Sequence, residues 1–114
     1  MENYKLVLPQ HLNQFGYLYG GNLLKWVDES AWIAASLEYP GCSFVTVGMD
    51  KIEFKKSVKQ GTILKFISKK TRQGNTSVEY SVEVYNENKS EENFVFSTKV
   101  TFVNVDKNGK KSPL

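Results

Sequence analysis

The sequence predicts an α+β domain in which one antiparallel sheet wraps around a single long helix. Three observations predict this class: one helical segment is almost wholly apolar, every later segment resembles a β-strand, and one of those strands alternates cleanly between apolar and polar residues. A helix that is apolar nearly all round must bury most of its surface, so we expect the sheet to curve around it. We expect the 114 residues to form one domain, 1–114.

The first part of the chain contains one short strand and the helix. Residues 4–8 form a short strand, which Pro9 ends. A polar loop with several glycines occupies residues 10–21. The helix then runs from about residue 22 to about residue 38, and the Pro-Gly pair shortly after it is its stop signal.

Four strands follow the helix. They are predicted over residues 44–54, 62–70, 78–84 and 94–102, with polar turns between them. The third has the strict alternation of a half-buried strand, because apolar residues alternate there with serine and glutamate. Residues 105–114 are mostly polar and are predicted to form a flexible tail. The element order is therefore β-α-β-β-β-β.

Composition limits the class of protein. The first residues lack the basic and apolar stretches of a signal peptide, and no apolar run has the length of a membrane span. The lone cysteine, Cys42, excludes an internal disulfide and suits a reducing compartment. One histidine and one cysteine far apart do not make a metal-ligand set. We therefore expect a cytoplasmic protein without a metal, and the small size favours an oligomer.

Positive charge is concentrated in one segment. Eight of the fifteen basic residues lie between Lys51 and Arg72, and only Glu53 opposes them. One interpretation is a solvated strand surface, on which lysines protect a sheet edge. The other is a patch for a polyanionic ligand. Nucleic acid is a poor candidate for that ligand, because no recognition motif accompanies the lysines.

The loop and helix from His11 to Glu29 are the most informative part of the chain. A helix N-terminus presents unpaired N–H groups and a partial positive charge, and Asp28 follows about two turns later. A carbonyl polariser and a base are two of the parts that acyl-transfer chemistry needs. At helical spacing, however, Asp28 lies between the buried and the polar arcs, so it could simply be a carboxylate that reaches solvent.

Trp32 is unusual because it shares the polar arc of the helix, where its indole would be exposed. An exposed tryptophan suggests contact with another subunit. The alternative is incidental packing against a loop of its own chain.

Several motifs occur in a fixed order and spacing over nearly the whole chain. The residues that carry them are His11, Asn13, Gly16, Gly20, Gly21, Leu23, Leu24, Lys25, Trp26, Asp28 and Glu29, then Val45–Asp50, Phe54, Lys56, Val58, Gly61, Gly74, Thr76–Glu79 and Thr101–Val103. Together they resemble the signature of hot-dog-fold acyl-CoA thioesterases of the cytosolic acyl-CoA thioester hydrolase type. The Gly-Gly-x-Leu-Leu-x-Trp-x-Asp element is the most specific part.

The resemblance implies an assembly. In that family the helix lies inside the sheet, two protomers pair their sheets into one continuous sheet, and the active sites lie at the dimer interface. The resemblance therefore implies a homodimer that assembles further to a hexamer, as a trimer of dimers. Asn13 and Asp28 would then meet across the dimer. Pairing would also remove an exposed sheet edge and enlarge a small core.

The resemblance also implies roles for individual residues. Asp28 matches the helix carboxylate that acts as general base or nucleophile, and Asn13 matches an asparagine that positions water or the thioester. The N–H group of Gly21 matches the polariser of the thioester carbonyl. The residues that match the strands contacting coenzyme A are Val47, Gly48, Met49, Thr76, Ser77 and Val78. The lysine-rich strands would then find an anion in the phosphates of the coenzyme.

The implied activity is hydrolysis of acyl-CoA to a free fatty acid and coenzyme A. The coenzyme is part of the substrate, and no further cofactor, nucleic acid or membrane partner is expected. One alternative is a non-catalytic module on the same fold that binds or senses acyl-CoA, although the presence of both Asn13 and Asp28 argues against it. A second is a dehydratase that acts on acyl thioesters. His11, the only histidine, suits proton transfer at neutral pH but lies well before the helix.

Overall fold

The computed structural model describes all residues from Met1 to Leu114 and contains one α-helix and five strands. The elements are β1 (Glu2–Leu6), a 3-10 turn (Pro9–His11), α1 (Gly20–Glu38), β2 (Phe44–Phe54), β3 (Ile63–Gln73), β4 (Ser77–Asn86) and β5 (Phe94–Asn104). The strands form one antiparallel sheet in the order β1-β3-β4-β5-β2, and α1 packs against it. This confirms the predicted fold class and element order, whereas the 3-10 turn was not predicted.

The helix begins at Gly20, two residues earlier than predicted. Tyr19 has an extended backbone, and its carbonyl oxygen accepts hydrogen bonds from the N–H groups of Asn22 and Leu23, so it closes the first turn. The small side chains in the second half of the helix allow its backbone to approach the sheet closely. The buried residues of α1 are Leu23, Trp26, Val27, Ser30, Ala31, Ala34 and Ala35.

The concave face of the sheet supplies the other half of the core. In β4 every second residue is buried, which confirms the predicted alternation, and the buried residues are Val78, Tyr80, Val82 and Val84. The largest fully buried side chains of the protein include Phe66, Phe96 and Phe102. Full burial of one such side chain stabilises a protein by about 1.5–3 kcal/mol, so contact between helix and sheet is the main source of stability. The helix lacks the combination of length and apolar character that a bilayer crossing requires.

The two edges of the sheet differ in length and character. The edge strand β1 has five residues, whereas β2 has eleven and pairs on one side only, with β5. Phe44 is the only buried residue of β2. Val45, Val47, Ile52 and Phe54 all leave apolar surface exposed. A long edge strand with exposed apolar side chains is a template for pairing with another chain.

The segment after β5 differs from the predicted flexible tail over residues 105–114. Asp106 accepts hydrogen bonds from two later backbone N–H groups, so the chain turns back on itself. The side chain of the buried Asn104 then donates to the carbonyl oxygen of Ser112 at 3.1 Å. The side chain of Leu114 packs against the core. The prediction of a flexible tail rested only on the polarity of these residues. The structure differs because polar side chains of this segment form hydrogen bonds within the chain.

A polar cluster fastens the C-terminal end of α1 to the sheet. Glu38 accepts hydrogen bonds from Lys70 Nζ at 2.7 Å and from the hydroxyl of Tyr80. Lys70 also donates to the hydroxyl of Tyr39 at 2.9 Å. The bond from Lys70, followed by that from Tyr80, holds the pKa of Glu38 below its usual value. Burial and the neighbouring Glu38 carboxylate raise the pKa of Tyr80.

This cluster predicts an acid-sensitive contribution to stability. A carboxyl group whose pKa is lowered by folding stabilises the folded state above its unfolded pKa, and this stabilisation is lost as the pH falls through the folded pKa. We expect Glu38→Gln to lower the melting temperature by a few degrees at neutral pH and to have little effect in strong acid. Thermal melts at both pH values measure this, with Glu91→Gln as an exposed control that lacks an ion pair. An equal loss for Glu38→Gln at both pH values would contradict it.

Candidate active site

The start of α1 presents two unpaired backbone donors. Gly20 and Gly21 form the first turn, and neither N–H group has an acceptor within the chain. No side chain caps the helix, and its first turn contains no acidic residue that would compete for these donors. A Cβ atom at Gly21 would lie 2.6 Å from the exposed ring of Tyr19, so any other residue there would need that ring to move. The positive end of the helix is therefore open to a negatively charged oxygen.

Asn13 shapes the loop that precedes the helix. Its Oδ1 atom accepts hydrogen bonds from the N–H groups of Phe15 at 2.9 Å and Tyr17 at 3.2 Å. This is an Asx turn, in which a side-chain oxygen takes the place of a backbone acceptor. The Nδ2 atom of Asn13 makes no hydrogen bond within the chain, so it remains available as a donor to a ligand or to water.

An open cavity of about 650 Å³ lies beside the start of the helix. Its polar lining consists of Asn13, Gly20, Lys55, Lys56 and Ser57. Its apolar lining consists of the buried Leu18, Leu23 and Val58 and the more exposed Phe15, Tyr17 and Phe54. Hydrogen-bond donors and a broad apolar surface thus share one cavity, as in most small-molecule sites.

Asp28 lies away from this cavity. It is partly buried on the side of α1 that faces β2, and its Oδ1 atom accepts a hydrogen bond of 2.6 Å from Thr46 Oγ1. Asp28 is eight residues after Gly20, about 12 Å along the helix axis at roughly 1.5 Å per residue. A carboxylate side chain does not span that distance. One chain therefore does not bring Asp28 together with its own Asn13 and the free N–H groups of its own helix.

Thr46 is a site residue that the sequence interpretation did not single out. It lies opposite Phe102 in the ladder between β2 and β5, and its hydroxyl holds one oxygen of Asp28. The available signal was a hydroxyl among valines at the start of a strand. That signal does not reveal the partner, because 18 residues and a reversal of the chain separate Thr46 from Asp28.

The residues that the resemblance assigns to coenzyme A lie on two strands that are not neighbours. Val47–Met49 belongs to β2 and Thr76–Val78 lies at the start of β4, with β5 between them. Both segments lie beside Phe102 of β5, so they are about 10 Å apart at the same end of the sheet. Val47 is exposed and Ser77 is partly exposed. The side chain of Val78 is 1% exposed and belongs to the core.

His11 has a structural position. Its Nδ1 atom accepts a hydrogen bond from the N–H group of Leu8 at 3.0 Å, and its ring packs edge-on against Trp26, with ring centroids 4.8 Å apart. Its carbonyl oxygen accepts from Tyr19 and from the side chain of Asn22. These bonds fasten the loop to the helix and favour a structural role over catalysis. No group of three or more His, Cys, Asp or Glu side chains could hold a metal ion.

The basic residues between Lys51 and Arg72 do not form one surface. Lys55 and Lys56 line the cavity, whereas the residues of β3 continue for about 30 Å along the sheet. Several of them already have acidic partners: Lys65 binds the side chains of Glu2 at 3.3 Å and Glu87 at 3.9 Å. Only the lysines at the connection between β2 and β3 are close to the cavity.

Comparison with known families gives a match over most of the chain. The model of the family described as the thioesterase superfamily matches residues 15–92. Acyl-coenzyme A thioesterase 11 of Mus musculus is 39% identical over 83 residues, which are 73% of this chain and 14% of the mouse protein. The chain thus spans about a seventh of that relative's length.

Solved structures are similar over almost the whole chain. A hexameric hot-dog-fold thioesterase of Campylobacter jejuni is 34% identical, with a TM-score of 0.86, covering 98% of this chain and 87% of that one. An acyl-CoA hydrolase of Staphylococcus aureus, solved with butyryl coenzyme A and coenzyme A, is 28% identical, with a TM-score of 0.87, covering 99% of this chain and 70% of that one. Variants of the S. aureus hydrolase with alanine in place of an aspartate, a threonine or an asparagine have also been solved.

The Asx turn predicts that the two atoms of the Asn13 amide have separable roles. We expect Asn13→Ala to lower the free energy of unfolding by about 1 kcal/mol, because two backbone N–H groups lose their acceptor. Asn13→Asp keeps an acceptor oxygen and should cost less, although it removes the Nδ2 donor. Urea denaturation of both variants tests this, and equal losses would show that the Oδ1 bonds do not hold the loop.

Proposed function

The chain belongs to the thioesterase superfamily, and on that premise we propose that it hydrolyses acyl-CoA thioesters to a free fatty acid and coenzyme A. The observation that supports the proposal is that one helix carries both kinds of group. Its start has free N–H groups at Gly20 and Gly21, and two turns later it has a carboxylate, Asp28, that Thr46 orients. An aspartate, a threonine and an asparagine are also the residue types replaced in the S. aureus hydrolase.

The reaction assigned to these groups is attack of water on the thioester carbonyl. Asp28 removes a proton from the water, whose oxygen bonds to the carbonyl carbon. The N–H group of Gly21, at the positive end of the helix, donates to the carbonyl oxygen as it becomes negative, and such a donor contributes about 3–4 kcal/mol to the transition state. Nδ2 of Asn13 positions the water or the thioester. The carbon–sulfur bond then breaks, and the coenzyme thiolate takes up a proton.

A complete site in this proposal needs two copies of the chain. The start of the helix lies beside Phe54, at the C-terminal end of β2, because the Phe54 ring contacts Gly20. Asp28 lies beside Thr46, near the N-terminal end of the same strand. Antiparallel pairing of β2 with β2 of a second copy places the Thr46 end of one strand against the Phe54 end of the other. The Asp28 carboxylate of one copy then approaches the helix start of the other, and two equivalent sites form.

The surface beside the β2 edge suits such pairing. Val45 and Val47 expose apolar side chains, and the neighbouring Trp32 of the helix is 44% exposed. The Trp32 Nε1 atom donates to the carbonyl oxygen of Phe44 at 3.1 Å, so its indole is held against the end of β2. The tryptophan therefore packs on its own chain and also presents an exposed ring at the proposed interface. We further propose that these dimers assemble to a hexamer, the state named for the C. jejuni relative.

The coenzyme in this proposal lies against the exposed backbone of Val47–Met49 and against Thr76 and Ser77. Lys55 and Lys56, at the cavity, are the basic residues best placed for its phosphates. Val78 contributes only through its backbone, because its side chain is buried. A cytoplasmic location suits the single free cysteine.

The activity is tested by release of free thiol from acetyl-CoA and palmitoyl-CoA. We expect the wild-type protein to turn over at least one of them and Asp28→Asn to lower kcat by at least about a hundredfold, because the change is isosteric and removes the base. Thr46→Val should lower kcat less and leave KM nearly unchanged, because it frees the carboxylate without removing it. Binding of acyl-CoA without turnover by the wild type would instead support a binding module.

The paired edge is tested by light scattering. We expect the wild-type chain to form at least a dimer and Val45→Lys, which changes an exposed side chain of β2, to give monomers of 13.0 kDa that lack activity. Leu6→Lys makes the same kind of change on the other edge strand, where the side chain is 50% exposed, and should leave at least a dimer. A monomeric wild-type protein at micromolar concentration would contradict the two-copy site.

A further inference from the structure

Phe54 is the lining residue of the cavity that lies nearest to Gly20 at the helix start. Phe54 ends β2, and its ring tip would lie 3.2 Å from a Cβ atom at Gly20. The three atoms nearest to such a Cβ all belong to this ring. The ring of Phe54 also packs on the fully buried Phe96, with ring centroids 5.3 Å apart. The Phe54 ring therefore lies between Phe96 and Gly20, the first residue of the helix.

The chemistry of the lining decides which part of a thioester occupies this cavity. A carbonyl oxygen held by the first N–H groups of the helix leaves two substituents to be placed, an alkyl chain and the coenzyme arm. The coenzyme arm contains amides and phosphates, which suit Lys55 and Lys56 of the lining, whereas the six apolar side chains of the cavity offer nothing to those groups. Only the alkyl chain gains from leaving water for that surface, by up to about fourfold in affinity for each buried methylene group.

From these observations we infer that Phe54 determines the length of acyl chain that the site accepts. An alkyl chain that leaves the carbonyl beside Gly20 runs along Leu18 and Leu23 and then meets the Phe54 ring. One side of the Phe54 ring packs on Phe96, and the residue is 53% exposed. This inference rests on the proposed hydrolase function and adds to it a residue that selects among acyl-CoA substrates.

The experiment is a series of kcat/KM values for acetyl-, butyryl-, hexanoyl-, octanoyl- and decanoyl-CoA. For the wild-type protein we expect kcat/KM to rise with acyl chain length up to a limiting length and then to fall. The rise should come from a decrease in KM. Phe54→Ala should move that limit to longer chains, with at least a tenfold gain on the first substrate beyond the wild-type limit. Phe54→Trp should move it to shorter chains. Acetyl-CoA, whose acyl group has a single methyl group beside the carbonyl, should show the smallest change among the three proteins.

The matched control is Phe15→Ala. Phe15 lines the same cavity, but it is 75% exposed and no atom of it is as near to a Cβ at Gly20 as the Phe54 ring, so its loss should shift the limit less than the loss of Phe54. If Phe54→Ala does not fold, Phe54→Leu replaces it as the smaller side chain, and its limiting chain length is compared with that of Phe54→Trp. An unchanged limit in active Phe54 variants, or an equal shift with Phe15→Ala, would overturn the inference and leave the hydrolase function intact. Failure of the wild-type protein to cleave any substrate would overturn the proposed function instead.

Discussion

Burial of one helix in the concave face of one sheet determines where every other group of this protein lies. Trp26, Val27 and Ala31 face the sheet, and alternate residues of β3, β4 and β5 face the helix. Because this packing supplies most of the stability, the helix can neither slide nor rotate without exposing apolar surface. Its start, with two free N–H groups, is thereby held beside the end of β2, and Asp28 is held beside the beginning of that strand.

The same packing separates the groups that the proposed chemistry needs. A straight helix places its N-terminal donors and a carboxylate two turns later about 12 Å apart, and no side-chain rotation closes that gap. In the proposed dimer this gap is closed through β2, a long edge strand with exposed apolar residues. Because the two β2 strands run in opposite directions, the Asp28 of one copy lies near the helix start of the other copy. In this arrangement the unpaired edge, a liability in an isolated sheet, is what completes the site.

Charged side chains in this protein act locally. The cluster around Glu38 and Lys70 fastens the helix end to the sheet, and Lys65 bridges two acidic residues. These pairs leave the lysines of the basic segment in separate local environments. At partly exposed sites, a nearby opposite charge affects a lysine more than the distant lysines do, because solvent and salt screen distant charges. Lys55 at the cavity is also paired, with Glu53, so the basic segment does not present one continuous surface to an anionic ligand.

Local sequence patterns correctly predicted the order and type of the elements, because periodicity, glycine and proline act within a few residues. The alternation in β4 and the stop after Glu38 are of this kind. A resemblance to a known family also singled out Asn13, Gly21 and Asp28 as candidate site residues, and their roles are predictions. The tertiary structure was needed to show that Thr46 holds Asp28 and that the ring of His11 packs on Trp26. Each of these depends on segments that are distant in sequence and are brought together by packing, which no local pattern records.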